Sequence, residues 1–264
     1  MHYKTIVLSD LHLGAKASKA KEALFFLKKN SCDTLILNGD IIDGWQLRRG
    51  CEWKKSHSNF LKKVFQLSVK NKSEIIYIRG NHDDFLDTIL PFKLGLFSIR
   101  KLFIYQGVNR KYLVTHGDMF DSITSKMRWL SKLGDIGYTL LLKINSYYNK
   151  NRIKRGLPYD SISQRVKSRV KSVVSYISDF EMELSKYAKM KGCDGVICGH
   201  IHQPANKIIN NVLYLNSGDW VESLSALTED HYGNWEIVYY HDWVKQFDVV
   251  SETPLAADNI LLAN

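Results

Sequence analysis

The sequence predicts an α/β fold that is interrupted by a helical insertion. In the first part of the chain, short apolar runs alternate with amphipathic helical patterns, an order typical of βαβ units and a parallel sheet. A long stretch of purely helical periodicity then breaks this pattern before strands return. The chain has 264 residues and 45% hydrophobic residues, which suffices for one sizeable core plus an insertion.

The predicted elements alternate in the order strand, helix, strand, helix, strand. The first strands are expected at Thr5–Leu8, 34–37 and 75–78, and the helices between them at 19–30 and 56–69. A fourth strand is expected at 112–114. After the insertion, strands are expected at 195–198, 207–209, 212–216, 235–240 and 244–249.

Residues 122–191 form the predicted insertion, and residues 1–121 and 192–264 form the predicted core. Apolar residues recur at three- and four-residue steps over 129–147 and 162–184, which predicts two long antiparallel helices. The insertion has 15 Lys and Arg against 5 Asp and Glu, whereas the rest of the chain has 22 of each. It therefore carries the whole net charge of +10, and we expect an anionic partner, with a solvated basic surface as the alternative.

Two features point to a cytoplasmic protein. No apolar run approaches the roughly 18 residues that a membrane span needs. A cleaved signal peptide would remove Asp10 and His12, which belong to the site predicted below. The four cysteines form no Cys-x-x-Cys pair, so we expect reduced thiols and neither a zinc nor a redox motif.

Carboxylate, imidazole and amide side chains follow the ends of the predicted strands. These residues are Asp10, His12, Asp40, Asn81, His82, His116, His200 and His202. Because the carboxyl ends of parallel strands share one edge of a sheet, a ligand crevice is expected there. With His82 set aside, the donors suit Mn²⁺, Fe or Zn²⁺. One strand-end histidine alone is more often an ordinary polar residue, but the recurrence of the pattern favours a metal site.

Five blocks of the sequence resemble the signature blocks of the calcineurin-like metallophosphoesterases, in the same order. They are Asp10-Leu11-His12, Gly39-Asp40-Ile41-Ile42-Asp43, Gly80-Asn81-His82-Asp83, His116-Gly117-Asp118 and Gly199-His200-Ile201-His202. The resemblance implies a four-layer α/β/β/α sandwich with two divalent metal ions between the sheets. It implies that Asp10, His12 and His202 hold one ion. It also implies that Asn81, His116 and His200 hold the other, and that Asp40 bridges both.

His82 is not needed as a metal ligand in this scheme. It could donate a proton to the leaving oxygen or stabilise the transition state, with Asp43 orienting its ring. A purely structural pair of His82 and Asp43 is the alternative.

A narrower resemblance extends over much of the chain. The Ser9–Gly14 opening, the helical insertion after Asp118 and the run Asn216–Ser223 are similar to the bacterial UDP-2,3-diacylglucosamine diphosphatase group. This resemblance implies a Mn²⁺ hydrolase of lipid A biosynthesis that releases UMP from a lipid-linked nucleotide sugar. It also implies peripheral contact with the inner face of the bacterial inner membrane. The best-known members carry Arg where this chain has His82, so the lipid substrate stays open.

Basic residues of the insertion are the candidates for contacts with phosphate or a headgroup, because Arg and Lys match such anions. They are Arg152, Arg155, Arg165 and Lys167. The apolar stripes of the two predicted helices could line a groove for acyl chains, and packing between the helices is the simpler alternative.

Other functions stay open at this point. A phosphodiesterase acting on nucleotides or nucleic acid would suit the basic segment, but no platform of interleaved aromatic and arginine residues supports nucleic-acid binding. A protein phosphatase fits a basic lid poorly. A scaffold that has lost its metals is disfavoured, because all seven ligand positions are filled.

Overall fold

A computed structural model describes residues 1–120, 155 and 162–248, and the side chains of residues 1–120, 155 and 174–247. The described strands are β1 (His2–Leu8), β2 (Ser31–Asn38), β3 (Glu74–Ile78), β4 (Phe92–Leu94), β5 (Phe97–Arg100), β6 (Leu102–Gln106), β7 (Lys111–Thr115), β8 (Gly195–Cys198), β9 (Ala205–Ile209), β10 (Val212–Asn216), β11 (Ser225–Glu229) and β12 (Trp235–Tyr239). The α-helices are α1 (Ala20–Lys29), α2 (Gly44–Arg48), α3 (Lys55–Asn71), α4 (Ile162–Met190), α5 (Tyr240–Trp243) and α6 (Lys245–Asp248). Short 3₁₀ helices lie at Asp84–Ile89 and Asp118–Phe120.

The strands form two mixed sheets. The seven-stranded sheet has the order β12-β11-β1-β2-β3-β5-β4, and the five-stranded sheet has the order β6-β7-β8-β10-β9. Strands β1, β2, β3 and β5 run parallel, as do β7, β8 and β10, whereas β11, β12 and β4 pair antiparallel at the edges. The parallel strands of both sheets therefore bring the polar residues that follow them to one end of the molecule.

Alternate residues of β1 show how the layers pack. Val7 lies in an apolar cluster between the two sheets, together with Val114 and Ile197 of the five-stranded sheet. Its neighbours Ile6 and Leu8 face the opposite side, where α1 and α3 cover the seven-stranded sheet. On the far side of the five-stranded sheet, Phe180, Leu184 and Ala188 of α4 are buried. The order of layers is thus α/β/β/α, which confirms the predicted fold class.

The strand predicted at 244–249 is wrong. Residues 245–248 are helical, because Trp243 and Phe247 lie one helical turn apart and both pack against Phe25 of α1. The sequence prediction also omits β4, β5, β6 and β11, although all five residues of β11 are buried.

The predicted insertion is described only in part. Its first predicted helix, over residues 129–147, lies outside the described residues, whereas its second corresponds to α4. Among the described residues, no helix is both long enough and apolar enough to cross a membrane.

Candidate metal centre

Sharp turns follow the strands that carry the predicted ligands. Five residues there have left-handed backbone: Asp10 (φ 52°), His12 (φ 48°), Asp40 (φ 52°), His200 (φ 68°) and His202 (φ 54°). A non-glycine residue in this conformation costs about 1–3 kcal/mol and persists only where its surroundings hold it in place. Backbone hydrogen bonds do so here, from Asp10 N–H to the Gly39 carbonyl (3.0 Å) and from His12 N–H to the Asp40 carbonyl (2.9 Å).

One group of potential ligands consists of Asp10, His12 and His202, whose ligand atoms all lie within 4.8 Å of one another. The Asp10 Oδ1 atom is 3.2 Å from His202 Nε2 and 4.0 Å from His12 Nε2. The other oxygen of Asp10 accepts a hydrogen bond from the backbone N–H of His200 (3.1 Å), which fixes the carboxylate plane. This group can hold a divalent cation.

A second group consists of Asp40, His116 and His200, also within 4.8 Å. His116 Nε2 lies 3.3 Å from Asp40 Oδ2, while its Nδ1 atom lies 3.0 Å from the Asn38 carbonyl and donates to it. That hydrogen bond leaves the Nε2 lone pair directed at the cluster. Asp40 Oδ2 is also 3.9 Å from His12 Nε2, so one carboxylate faces both groups.

Buried polar atoms that lack a hydrogen-bond partner are a test of whether metal ions fit this site. Asp10 Oδ1, Asn81 Oδ1 and His116 Nε2 are buried, and within the described part of the chain none of them has a hydrogen-bond partner in suitable geometry. Leaving such an atom unsatisfied costs about 1–3 kcal/mol, and such atoms are rare in folded proteins. Asp10 and His116 belong to the two groups, and Asn81 directly precedes His82, whose backbone N–H donates to Asp40 Oδ1 (2.8 Å). Divalent cations match such a set of oxygen and imidazole donors.

The histidines and carboxylates of the cluster shift one another's pKa values. Burial alone would raise the pKa of Asp40, but His116, His12 and His82 outweigh it and hold the pKa well below its usual range. Burial likewise opposes protonation of the histidines, yet Asp40 and Asp10 raise the pKa of His116 to about 10. The Asp10 carboxylate raises the pKa of His202 to about 9 against the same effect of burial. These shifts favour protonated imidazoles where cations would bind, so metal binding should release protons.

His82 lies beside this cluster, between Asp43 and Trp45. Asp43 Oδ1 is 3.0 Å from His82 Nδ1, and Asp43 Oδ2 is 3.4 Å from His12 Nδ1. Asp43 is itself held as the N-cap of α2, accepting a hydrogen bond from Gln46 N–H (2.9 Å). The Trp45 ring covers one face of His82, with centroids 4.1 Å apart and planes 32° apart. The opposite ring nitrogen, His82 Nε2, is 4.0 Å from Asp40 Oδ2 and faces the cluster.

Asp83 supports the site, although it was not among the predicted site residues. It is fully buried and accepts hydrogen bonds from the backbone N–H groups of Ile41 (3.1 Å) and Ile42 (2.8 Å) and from the Tyr77 hydroxyl (2.8 Å). Burial and the nearby Asp40 raise the pKa of Asp83 to about 7. Asp83 thereby ties the loop that carries Asp40 to the turn after β3. The sequence offered a signal for this role of Asp83, because Asp83 is the last residue of the Gly80–Asp83 block.

Asp219 stabilises a turn that contacts the backbone of Asp10. Its buried carboxylate accepts hydrogen bonds from the backbone N–H groups of Val221 (2.7 Å) and Glu222 (2.5 Å). This turn places Trp220 N–H 3.1 Å from the carbonyl of Asp10, to which it donates. The sequence signal here was the Asn216–Ser223 run.

The basic residues predicted to contact substrate are not brought to this cluster by the described part of the chain. Arg152 lies outside the described residues, and Arg155 is described as an exposed turn residue. Arg165 and Lys167 lie in the first turns of α4, whose side chains are described only from residue 174.

Comparisons with known proteins point to the same chemistry. The sequence model of the calcineurin-like phosphoesterases matches residues 3–204. The chain is also similar to a UDP-2,3-diacylglucosamine hydrolase of Wigglesworthia glossinidia brevipalpis, at 23% identity over 84% of this chain and 89% of the relative.

Similar solved structures include two bacterial proteins. The phosphoesterase Yfce of E. coli aligns with a TM-score of 0.45 and 14% identity over 90% of this chain and 93% of that one. A predicted phosphoesterase of Streptococcus pneumoniae aligns with a TM-score of 0.41 and 15% identity over 90% of both chains.

Proposed function

Since the chain belongs to the calcineurin-like phosphoesterase family, and is a metal-dependent phosphoesterase, we propose that it splits the pyrophosphate of UDP-2,3-diacylglucosamine into UMP and 2,3-diacylglucosamine 1-phosphate. The observation that carries a two-metal hydrolase is the Asp40 carboxylate, which faces both ligand groups beside His82. The similarity to the Wigglesworthia hydrolase, at 23% identity, supports this choice of substrate.

Seven residues would hold two divalent ions, for which Mn²⁺ is the first choice and Fe or Zn²⁺ are alternatives. Asp10, His12 and His202 would hold one, Asn81, His116 and His200 the other, and Asp40 would bridge them. When bound, such a pair neutralises phosphate oxygens and lowers the pKa of water to near neutrality.

His82 would act on the leaving group. Burial opposes protonation of this ring, but Asp43 and Asp40 outweigh it and raise its pKa, which favours the protonated form. Asp43 holds the Nδ1 side, which directs Nε2 towards the cluster where phosphate would bind. A protonated imidazole in this position can donate to the departing phosphate oxygen.

The basic insertion would bind the rest of the substrate. Arg152, Arg155, Arg165 and Lys167 are proposed to contact its phosphates or headgroup, because paired phosphates favour several cationic donors. The same positive segment would support peripheral contact with the anionic inner face of the bacterial inner membrane.

A substrate panel with Mn²⁺-loaded protein tests the proposal. UMP release from UDP-2,3-diacylglucosamine should exceed hydrolysis of cyclic nucleotides, dinucleoside polyphosphates and short DNA by at least about 100-fold in kcat/KM, as expected when a site uses contacts remote from the reacting bond. Faster turnover of a cyclic nucleotide or of DNA would identify a phosphodiesterase instead.

The contribution of the insertion can be measured separately. The double variant Arg152→Ala/Arg155→Ala should raise KM for the lipid substrate more than for a small chromogenic ester. Equal effects on both substrates would contradict a substrate site on the insertion.

A further inference from the structure

The helices that cover the seven-stranded sheet carry a strong excess of positive charge outside the insertion. Helices α1 and α3 together contain seven lysines and a single acidic residue, Glu22. The two helices pack side by side on the same face of the sheet and share the core cluster with Phe26 and Phe60. Their outer surface is therefore a concentrated cationic layer that belongs to the folded core.

A groove of about 350 Å³ opens between these helices. Lys21 and Lys28 of α1 and Lys55 of α3 stand along it, and Leu24 and Phe25 form apolar parts of its wall. Lys21 and Lys28 are two helical turns apart, roughly 10 Å along the axis, so the positive charges flank the apolar wall at both ends. The volume is in the range of small-molecule sites, roughly 300–1,000 Å³.

The lysines of the groove are not neutralised within the described part of the chain. None of Lys21, Lys28 and Lys55 has a carboxylate of a described residue within 4.0 Å, the separation that defines the ion pairs found elsewhere, such as that of Lys4 with Asp33 (3.2 Å). Burial and the like charges of Lys28 and Lys70 lower the pKa of the adjacent Lys63. An anion placed in the groove would relieve this repulsion.

We propose that the groove between α1 and α3 is a second anion site, which binds a phosphate group carried on an apolar body. Asn59 adds a neutral hydrogen-bond donor beside Lys55 to the cationic side chains. Leu24 and Phe25 would contact the apolar part of the ligand, so a lipid phosphate should bind better than the same headgroup alone. None of these residues belongs to the metal cluster, so the site is independent of the proposed function.

Residue-resolved NMR of the full-length protein tests this site without any activity measurement. The two probes are monomeric short-chain phosphatidate and glycerol 3-phosphate. We expect phosphatidate to shift the backbone amide signals of residues 21–28 and 55–59, and glycerol 3-phosphate to shift the same signals with at least about 10-fold weaker affinity. Signals of these residues that do not respond to either probe would overturn the site. Equal affinities would overturn the apolar contribution.

Matched charge variants supply the control. Lys28→Ala/Lys55→Ala should weaken phosphatidate binding by roughly 30-fold, or about 2 kcal/mol, because it removes two of the three cations that line the groove. Lys101→Ala/Lys189→Ala removes the same charge from exposed positions outside the groove and should leave the affinity unchanged. Equal weakening in both variants would show a general effect of net charge and would reject the groove.

Discussion

At the scale of single residues, the site depends on side chains whose polar atoms are buried. Among the described residues, Asp10 Oδ1, Asn81 Oδ1 and His116 Nε2 have no hydrogen-bond partner in suitable geometry, although backbone hydrogen bonds fold the chain around them into turns. Their role as ligands is a proposal that these orphaned atoms support. His82 differs, since Asp43 and Trp45 hold its ring from two sides without filling its Nε2 position.

Replacing His82 should separate chemistry from metal binding. His82→Ala should retain both ions and slow turnover by about 10²–10⁴-fold, the usual contribution of a lost acid–base group. Metal content by mass spectrometry and kcat with a Mn²⁺-loaded protein measure the two effects. His231→Ala, at a histidine on a loop away from the cluster, serves as the control. An unchanged rate in the His82 variant would remove this residue from the mechanism.

The raised pKa values of His116 and His202 make the stability of the metal-free protein depend on pH. In the unfolded chain both imidazoles have a pKa of about 6.5, whereas the folded values are about 10 and about 9. Their contribution to stability is fully present below about pH 6.5 and is lost as the pH rises through 9 and 10. The free energy of unfolding of chelator-treated protein should therefore fall between pH 7 and pH 10.

Urea denaturation at three pH values in this range measures the slope. His202→Gln should make the slope shallower, because it removes one of the two histidines whose pKa is raised to about 9 or 10. A free energy of unfolding that rises towards pH 10 would contradict the assignment.

At the scale of elements, close packing restricts which residues can occupy the turns after the strands. Gly39 has a φ of +82°, and a Cβ atom at this position would overlap the His116 ring. Gly50 has the same φ of +82°, but no heavy atom lies within 4 Å of the point that a Cβ atom would occupy there. The two glycines thus have the same φ and differ in crowding.

Alanine at these two positions should give different results. Gly50→Ala should cost about 1–2 kcal/mol in the free energy of unfolding, the penalty of left-handed backbone, and keep metal and activity. Gly39→Ala should cost more and also lose metal, because His116 must move. Denaturant titration and metal analysis of both variants provide the comparison, and equal metal content in the two would refute the crowding argument.

The strands that the sequence predicts best are those with continuous apolar runs in the parallel parts of the sheets. β11 was not predicted, because its buried residues include Ser225, Thr228 and Glu229, which interrupt any apolar run. Glu229 is accommodated in the interior by hydrogen bonds from Thr5 (2.9 Å) and Tyr105 (3.0 Å), which are contacts far apart in the chain. Local periodicity cannot reveal such a network. The ligand blocks were predictable because each follows an apolar strand directly.

At the scale of the whole molecule, the candidate ligands come from both sheets. Asp10, Asp40 and Asn81 follow strands of the seven-stranded sheet, whereas His116 and His200 follow strands of the five-stranded sheet. Ions held between them would link the two sheets across their shared apolar layer. Metal binding should therefore stabilise the complete fold.

Removing the metal should lower the melting temperature. At an ion concentration about 100-fold above Kd, one bound ion adds about 2.7 kcal/mol, which corresponds to roughly 5–10 °C for a chain of this size. Differential scanning calorimetry with Mn²⁺ and with EDTA measures the difference. Asp40→Asn should abolish both the shift and the activity. A shift of normal size in that variant would argue against a bridging role for Asp40.

The hydrogen bond from His116 to the Asn38 carbonyl, and those that Asp10 and Asp40 accept from backbone N–H groups, orient the candidate ligands from the protein side. Ligands oriented in this way would present the same donors to any divalent ion. Nitrogen and oxygen donors of this kind bind Zn²⁺ more tightly than Mn²⁺. If the seven residues are the ligands, as proposed, the supply of metal ions in the cell would decide which ion occupies the site and hence the rate of turnover.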